Sequence, residues 1–367
     1  MSTASLPDLL AAPAEDLLTL TAALVAVPSV SHHEQELADR VERRLAERAP
    51  GLTLARVGNN VIVRTDLGRV RRVVLGGHLD TVPANANEVP RLDGDVLYGL
   101  GSADMKGGLA VLLRLAEEID AGREPGVDCT FFFYEGEEIA DEYNGLRRVF
   151  ADRPELLAGD FAVLLEPTGG HVEAGCQGTL HVRAHFDGER AHSARPWQGS
   201  NAIHAAAAVL HRLAGHESDT VTVDGLPYRE SLQVVRVEGG VANNVVPDSC
   251  TLVVNRRFAP RYSVDEARAQ VEELLAGADS IEVVNASPAA PPNLDHPLVA
   301  EFIQALGVDV EPKLGWTDVA RFAARGVPAV NFGPGDPDVS HTADERVTRT
   351  SVEQCYTALS RFLGPPA

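Results

Sequence analysis

Over residues 15–27 the apolar side chains Leu17, Leu18, Leu20, Leu24 and Val25 return at helical spacing, and Pro28 ends the run. β-rich stretches follow at 52–64 and 72–75, then a helical run over 106–119 and a strand-like run over 129–134. A further helical pattern leads to five consecutive apolar residues at 161–165, which read as a buried strand. Strands that alternate with helices predict an α/β layer with a mostly parallel sheet, because parallel neighbours need a crossover between them. The middle of the chain has a different texture. Residues 179–186 and 231–237 alternate apolar and polar positions as half-buried strands do, 251–258 adds a third strand-like run, and helical stretches lie at 202–213 and 264–275. This pattern predicts a small α+β domain with an antiparallel sheet. After the proline-rich residues 287–292 the helix–strand rhythm resumes at 296–306, 318–324 and 329–332. The simplest organisation is one α/β domain, residues 1–176 and 291–367, interrupted by an inserted α+β domain, residues 177–290.

Composition narrows the partners. The 367 residues include 32 basic and 53 acidic side chains, a formal charge of −21. No local basic patch offsets that excess, so nucleic acid and anionic membrane surfaces are excluded as partners. A hydrophobic fraction of 44% with 23% charged residues belongs to a folded body rather than an acidic tail. Cys129, Cys176, Cys250 and Cys355 lie far apart with no Cys-x-x-Cys spacing, which argues against a disulfide framework or a thiolate metal site and for reduced, buried thiols. The N-terminus lacks a basic start and long apolar core, and no apolar run approaches the ~18–20 residues that span a bilayer. The expectation is a soluble, cytoplasmic protein. Lys106 and Lys313 are the only lysines, which reads as compositional bias, although Lys106 falls inside a motif.

Candidate chemistry gathers just after the predicted strands, where open α/β sheets place their ligand sites. These positions carry Gly-Gly-His78-Leu-Asp80-Thr-Val-Pro, Gly101-Ser-Ala-Asp104-Met-Lys-Gly-Gly, Glu135-Gly-Glu137-Glu138, Glu166-Pro-Thr and Ser340-His341-Thr-Ala-Asp-Glu. Each alone has an ordinary reading. His78 is then a hydrogen-bonded surface or core histidine, Asp104 the N-cap of the helix that follows, Glu137 and Glu138 a solvated pair, and His341 a surface histidine. Together, two histidines and several carboxylates at successive strand ends make a donor set for borderline divalent metals, with carboxylates able to bridge two ions.

In order and spacing these five motifs resemble those of the co-catalytic zinc amidohydrolase/aminoacylase metallopeptidase family, over nearly the whole chain. Arg190-Ala-His192-Ser-Ala-Arg195-Pro-Trp-Gln-Gly, Gly315-Trp-Thr-Asp318 and Val330-Asn-Phe-Gly-Pro-Gly-Asp-Pro extend the likeness to the actinobacterial desuccinylase branch of that family. The resemblance implies a zinc-peptidase-like catalytic domain and an inserted dimerisation or lid domain. It implies two divalent ions, zinc by preference with cobalt or manganese tolerated by the same donors. Asp104 would bridge them, with His78 and Glu166 on one ion and Glu138 and His341 on the other. Asp80 would orient the His78 imidazole, and a cis peptide would follow Asp104. Glu137 would be the general base, since one of two adjacent glutamates can hold metal while its neighbour stays free to take a proton from water.

The inserted domain would form a homodimer and carry His192 to the other subunit's site as an oxyanion donor. Asn243, Asn244, Arg195 and Arg257 would bind substrate carboxylates. Two positions depart from the proteobacterial members: Gln177 stands where they carry arginine, and Arg195 where they carry tyrosine. This bears on acyl specificity rather than on hydrolysis. The implied substrate is an N-acylated amino acid, N-succinyl-L,L-2,6-diaminopimelate on the branch resemblance. N-acetylornithine and general acylamino acids are the alternatives with the same chemistry. A dinuclear phosphoesterase would want more histidines and a phosphate-clamping cation, and a silent metal-binding relative would not need Glu137.

Overall fold

The computed structural model describes residues 8–365. The chain divides into two compact units: the first comprises residues up to Ala174, Asn293–Glu311 and Arg321 onward, the second Gly175–Pro292 and Pro312–Ala320. The second unit thus takes in a short stretch, 312–320, that the periodicity gave no reason to separate.

The first unit is built on an eight-stranded sheet in the order Thr53–Val57, Asn60–Arg64, Asp128–Tyr134, Arg72–His78, Phe161–Leu164, Ala329–Asn331, Val172–Ala174, Val310–Pro312. Its four central strands, from Asp128–Tyr134 to Ala329–Asn331, run parallel. They read as near-continuous apolar runs because helices cover parallel strands. Phe131, Phe133, Leu75, Val163 and Leu164 are fully buried, as are Leu109, Leu112 and Leu113 of the helix Gly107–Asp120. That helix approaches the sheet closely. A Cβ on Gly108 would lie 2.7 Å from the Leu165 carbonyl oxygen, so only glycine fits where the helix passes the strand end.

The residues expected to form one β-rich stretch at 52–64 form a hairpin, Thr53–Val57 against Asn60–Arg64. The helices Gln35–Arg48 and Arg349–Phe362 have no counterpart in the sequence reading. Both are amphipathic, but their buried positions are interleaved with arginine and glutamate, which hides the apolar face.

The second unit carries a four-stranded antiparallel sheet, ordered Ser231–Gly239, Ser249–Phe258, Gly178–Asp187, Ser280–Ser287. One face packs on the helices Ala202–Ala214 and Val264–Leu274 through Leu180, Val182, Phe186, Leu252, Val254, Ala206 and Val271. The fourth strand, Ser280–Ser287, was not anticipated. It lies at the sheet edge, where alternate residues are exposed and the apolar pattern is weak. All four cysteines are free and buried, and burial pushes the Cys129 thiol up to about 12. Among the described residues no helix is long and apolar enough to cross a membrane.

Candidate metal centre

The parallel strands of the first unit deliver the sequence-predicted donors to one edge of the sheet. His78 is the last residue of Arg72–His78, Glu137 and Glu138 follow Asp128–Tyr134, Glu166 follows Phe161–Leu164, and His341 lies in the loop beyond Ala329–Asn331. Asp104 sits in the irregular turn Ser102–Lys106, ahead of the helix Gly107–Asp120. Its peptide bond to Met105 is cis. The Asp104 side chain does not cap that helix, and its Oδ1 lies 3.1 Å from His78 Nε2.

His78 Nε2 is also 4.0 Å from Glu166. His341 Nε2 lies 2.9 Å from Glu138 Oε1 and 3.4 Å from Asp104 Oδ2. Donor atoms of His78, Asp104 and Glu166 fall within 4.8 Å of one another, as do those of Asp104, Glu138 and His341, and those of His78, Glu137 and Glu138. Asp104 is common to the first two groups. All six predicted residues of this unit's constellation are therefore brought together.

Electrostatics fit the geometry. Burial favours a neutral His78, but hydrogen bonding to Asp104 and the charges of Glu166 and Asp80 outweigh it and hold the imidazole well above its ordinary 6.5. Asp104 and Glu138 raise His341 to about 10. Asp104 resists burial and stays well below the usual carboxylate range because both imidazoles bond to it. Carboxylates thus hold protons on two imidazoles, the field in which divalent cations displace protons.

Asp80 meets the His78 imidazole through its main chain rather than its carboxylate. The His78 Nδ1–H donates to the main-chain carbonyl of Asp80 at 3.0 Å, while the nearer carboxylate oxygen is 3.6 Å away, beyond hydrogen-bond range. The Asp80 carboxylate instead accepts the backbone N–H groups of Glu137 and Glu138, both at 3.0 Å, and the Ser31 hydroxyl at 2.8 Å. Gly136 makes the turn into this pair: its φ is +69°, and a Cβ there would meet the Tyr143 carbonyl at 2.4 Å.

Sequence reasoning assigned no role to Ser31 or Glu345. The buried Glu345 carboxylate accepts N–H groups from Gly101, Ala103 and Asp104. Glu345 stood within a quoted motif, but nothing in its spacing signals contacts more than 240 residues away.

The other predicted site residues belong to the second unit. His192 bridges to Val245, Ser193 N–H donates to Asn244 O at 2.9 Å, and Arg195 N–H to His192 O at 2.7 Å. His192, Arg195, Asn243 and Asn244 therefore share one pair of exposed, hydrogen-bonded loops, with His192 Nδ1 accepting from Ala194 N–H. Arg257 lies elsewhere in this unit, on the strand Ser249–Phe258 opposite Thr179 and Ser231. Gln177 is buried, and its amide donates to the Arg229 carbonyl at 2.8 Å.

The profile of peptidase family M20/M25/M40 matches residues 74–364. The chain belongs to that family. The matched span holds every donor named above. Among M20 relatives, a Corynebacterium glutamicum protein named succinyl-diaminopimelate desuccinylase is 42% identical over 354 residues, spanning 95% of this chain and 96% of its own. A Mycobacterium tuberculosis protein that carries the same name provisionally is 48% identical over 350 residues, 95% of this chain and 98% of its own. The solved aminopeptidase PepT of Bacillus cereus superposes with a TM-score of 0.79 at 21% identity, covering 96% of this chain and 98% of its own. An M20 metallo-carboxypeptidase of Sulfolobus solfataricus does so at 0.76 with 16% identity, covering 95% and 98%. At those identities the likeness is one of fold. An M20 enzyme with this donor set uses divalent metal.

Proposed function

We propose that this chain hydrolyses the amide bond of N-succinyl-L,L-2,6-diaminopimelate, adding water to give succinate and L,L-2,6-diaminopimelate, a step of lysine biosynthesis. The observation that carries this reading is near-full-length identity of 42% to a relative named for that reaction, joined to a donor set centred on Asp104.

Two divalent ions would be held here, His78 and Glu166 serving one, Glu138 and His341 the other, and Asp104 both; the clustering of these donor atoms supports this. Zinc suits this mixture of imidazole and carboxylate, and cobalt or manganese would be tolerated. Bound ions supply Lewis-acid polarisation of the amide carbonyl and acidify water. Glu137 takes the proton from the attacking water and returns it to the departing amine nitrogen. Asp80 holds Glu137 and Glu138 by their main-chain N–H groups, and its carbonyl keeps the His78 proton on Nδ1. The second unit forms the contact of a homodimer, through which His192 donates to the oxyanion in the other subunit's site, with Asn243, Asn244, Arg195 and Arg257 meeting the substrate carboxylates. Four free cysteines and the absence of disulfide spacing support a cytoplasmic location.

Steady-state rates on N-succinyl-L,L-2,6-diaminopimelate and N-acetylornithine, with metal content measured on the same sample, test the reading. The succinyl compound should win by at least 100-fold in kcat/KM, and preference for the acetyl compound would overturn the substrate assignment. Glu137→Ala should keep its metal and lose turnover, and wild-type-like rates would remove Glu137 from the mechanism. Mixing Glu137→Ala with His192→Ala subunits should restore activity if His192 acts across the dimer.

A further inference from the structure

Glu345 bonds main-chain groups rather than the predicted donor atoms, and it connects the two loops that carry Asp104 and His341. Its Oε2 accepts Gly101 N–H at 3.0 Å, and its Oε1 accepts Ala103 N–H at 3.0 Å and Asp104 N–H at 3.1 Å. Its own N–H donates to Thr342 O, beside His341, and its carbonyl accepts Gly99 N–H. The chain then enters the strand Arg346–Thr348, which pairs with Val96–Tyr98 just ahead of the Asp104 loop. Three main-chain N–H groups converging on one buried carboxylate form an anion nest within the protein. Each is a charge-assisted bond, stronger than its neutral equivalent. The segment so held contains Asp104, the carboxylate common to the group with His78 and Glu166 and the group with Glu138 and His341, and that residue's own N–H is among the three.

We infer that Glu345 is a positioning residue: by binding the backbone of the Gly101–Asp104 turn it fixes the Asp104 carboxylate where both donor groups meet, and its charge is expressed as affinity for divalent metal. The inference rests on the metal reading given above. Lys106 Nζ, buried in the same turn, donates to Val27 O rather than to Glu345. The backbone N–H groups are therefore the direct partners of the carboxylate. Glu345→Gln keeps the shape but brings an NH2 group against N–H donors, so the nest opens on one side. Glu345→Asp keeps the charge and withdraws it by one methylene.

The test titrates metal-stripped protein with Zn2+ against a chelating dye, and records melting temperature with and without Zn2+. Glu345→Gln should bind Zn2+ about 10- to 100-fold more weakly, and Glu345→Asp should fall between it and the wild type. The rise in melting temperature on adding Zn2+ should shrink accordingly. A purely structural role would lower the metal-free melting temperature and leave that rise intact, as Thr65→Val, which loses the distant Asp128 hydrogen bond, should do. A folded Glu345→Gln protein with Zn2+ affinity within twofold of wild type overturns the inference. Should that variant not fold, wild-type affinity in Glu345→Asp overturns it equally. A wild-type chain that takes up no Zn2+ overturns the metal reading itself, a result distinct from either.

Discussion

Replacing Asp80 with asparagine separates two accounts of what this aspartate does. If its carboxylate orients His78, the substitution should weaken metal binding at the His78 end of the site. The geometry points instead to the glutamate pair: Oδ1 accepts Glu137 N–H, Oδ2 accepts Glu138 N–H, and His78 Nδ1 is served by the Asp80 carbonyl, which asparagine retains. Asparagine keeps one acceptor oxygen and turns an NH2 toward the other N–H, so one hydrogen bond to a charged group is lost, worth about 1.5–3 kcal/mol. If that loss appears in placing Glu137 for proton transfer, kcat at saturating metal and substrate should fall about 10- to 150-fold. KM should change little. Ser31→Ala removes only the hydroxyl donor to Oδ2 and should cost only a few-fold. The assay is steady-state hydrolysis over a Zn2+ titration. If excess Zn2+ restores wild-type kcat to Asp80→Asn, the defect was metal affinity, at His78 or at Glu138, and the claim that the carboxylate places Glu137 for proton transfer fails.

Three further outcomes follow from packing and charge. Glu230 and Arg256 form a buried ion pair at 2.7 Å in the second unit, so Glu230→Ala should cost about 3–5 kcal/mol and Glu230→Ala/Arg256→Met less than that. Both tryptophans, Trp197 and Trp316, lie in this unit, so fluorescence-monitored urea unfolding reads it directly, and a double variant weaker than the single one refutes the reasoning. Gly108→Ala should destabilise the first unit by about 1–3 kcal/mol despite its higher helix propensity, because backbone at Leu165 blocks the added Cβ; a raised melting temperature would contradict this. Burial raises the Asp128 carboxyl, but N–H groups of Leu67 and Arg69, the Thr65 hydroxyl and the Arg72 charge hold it below its ordinary 3.8. Its contribution is therefore complete above that value and lost as pH falls through the lower folded one, so the stability gap to Asp128→Asn should hold from pH 7 to 5 and narrow only below about 4, as denaturant midpoints would record.

The parallel core and the donor set were legible in the sequence because both are written locally. Uninterrupted apolar runs such as 161–165 mark strands covered on both faces, and donors at their C-terminal ends inherit a common edge of the sheet. The helix Gln35–Arg48 was not legible because it spaces its buried residues with charge, and the edge strand Ser280–Ser287 because it buries almost none of its residues. The Asp80 expectation named the residue beside His78 and left the partner atom open. A spacing of two residues from His78 is compatible with either the carbonyl or the carboxylate as partner, and only the fold decides which. Contacts such as Glu345 to the Asp104 turn join distant parts of the chain and leave no local periodicity to read.

The position of Ala329–Asn331 in the first sheet has a consequence for how the molecule is made. This strand is inserted between Phe161–Leu164 and Val172–Ala174, which are adjacent in sequence but separated in the sheet. At ~5–20 residues per second, a ribosome that has just released Leu164 needs roughly 8–33 s to reach Ala329. Throughout that interval the nascent chain presents an unpaired apolar strand edge, the kind of surface that invites pairing with other chains. The four strands of the second unit's sheet, all between Gly178 and Ser287, emerge within the same interval. The unit that begins later in the chain is thus the first able to close its sheet, reversing the usual order of vectorial folding.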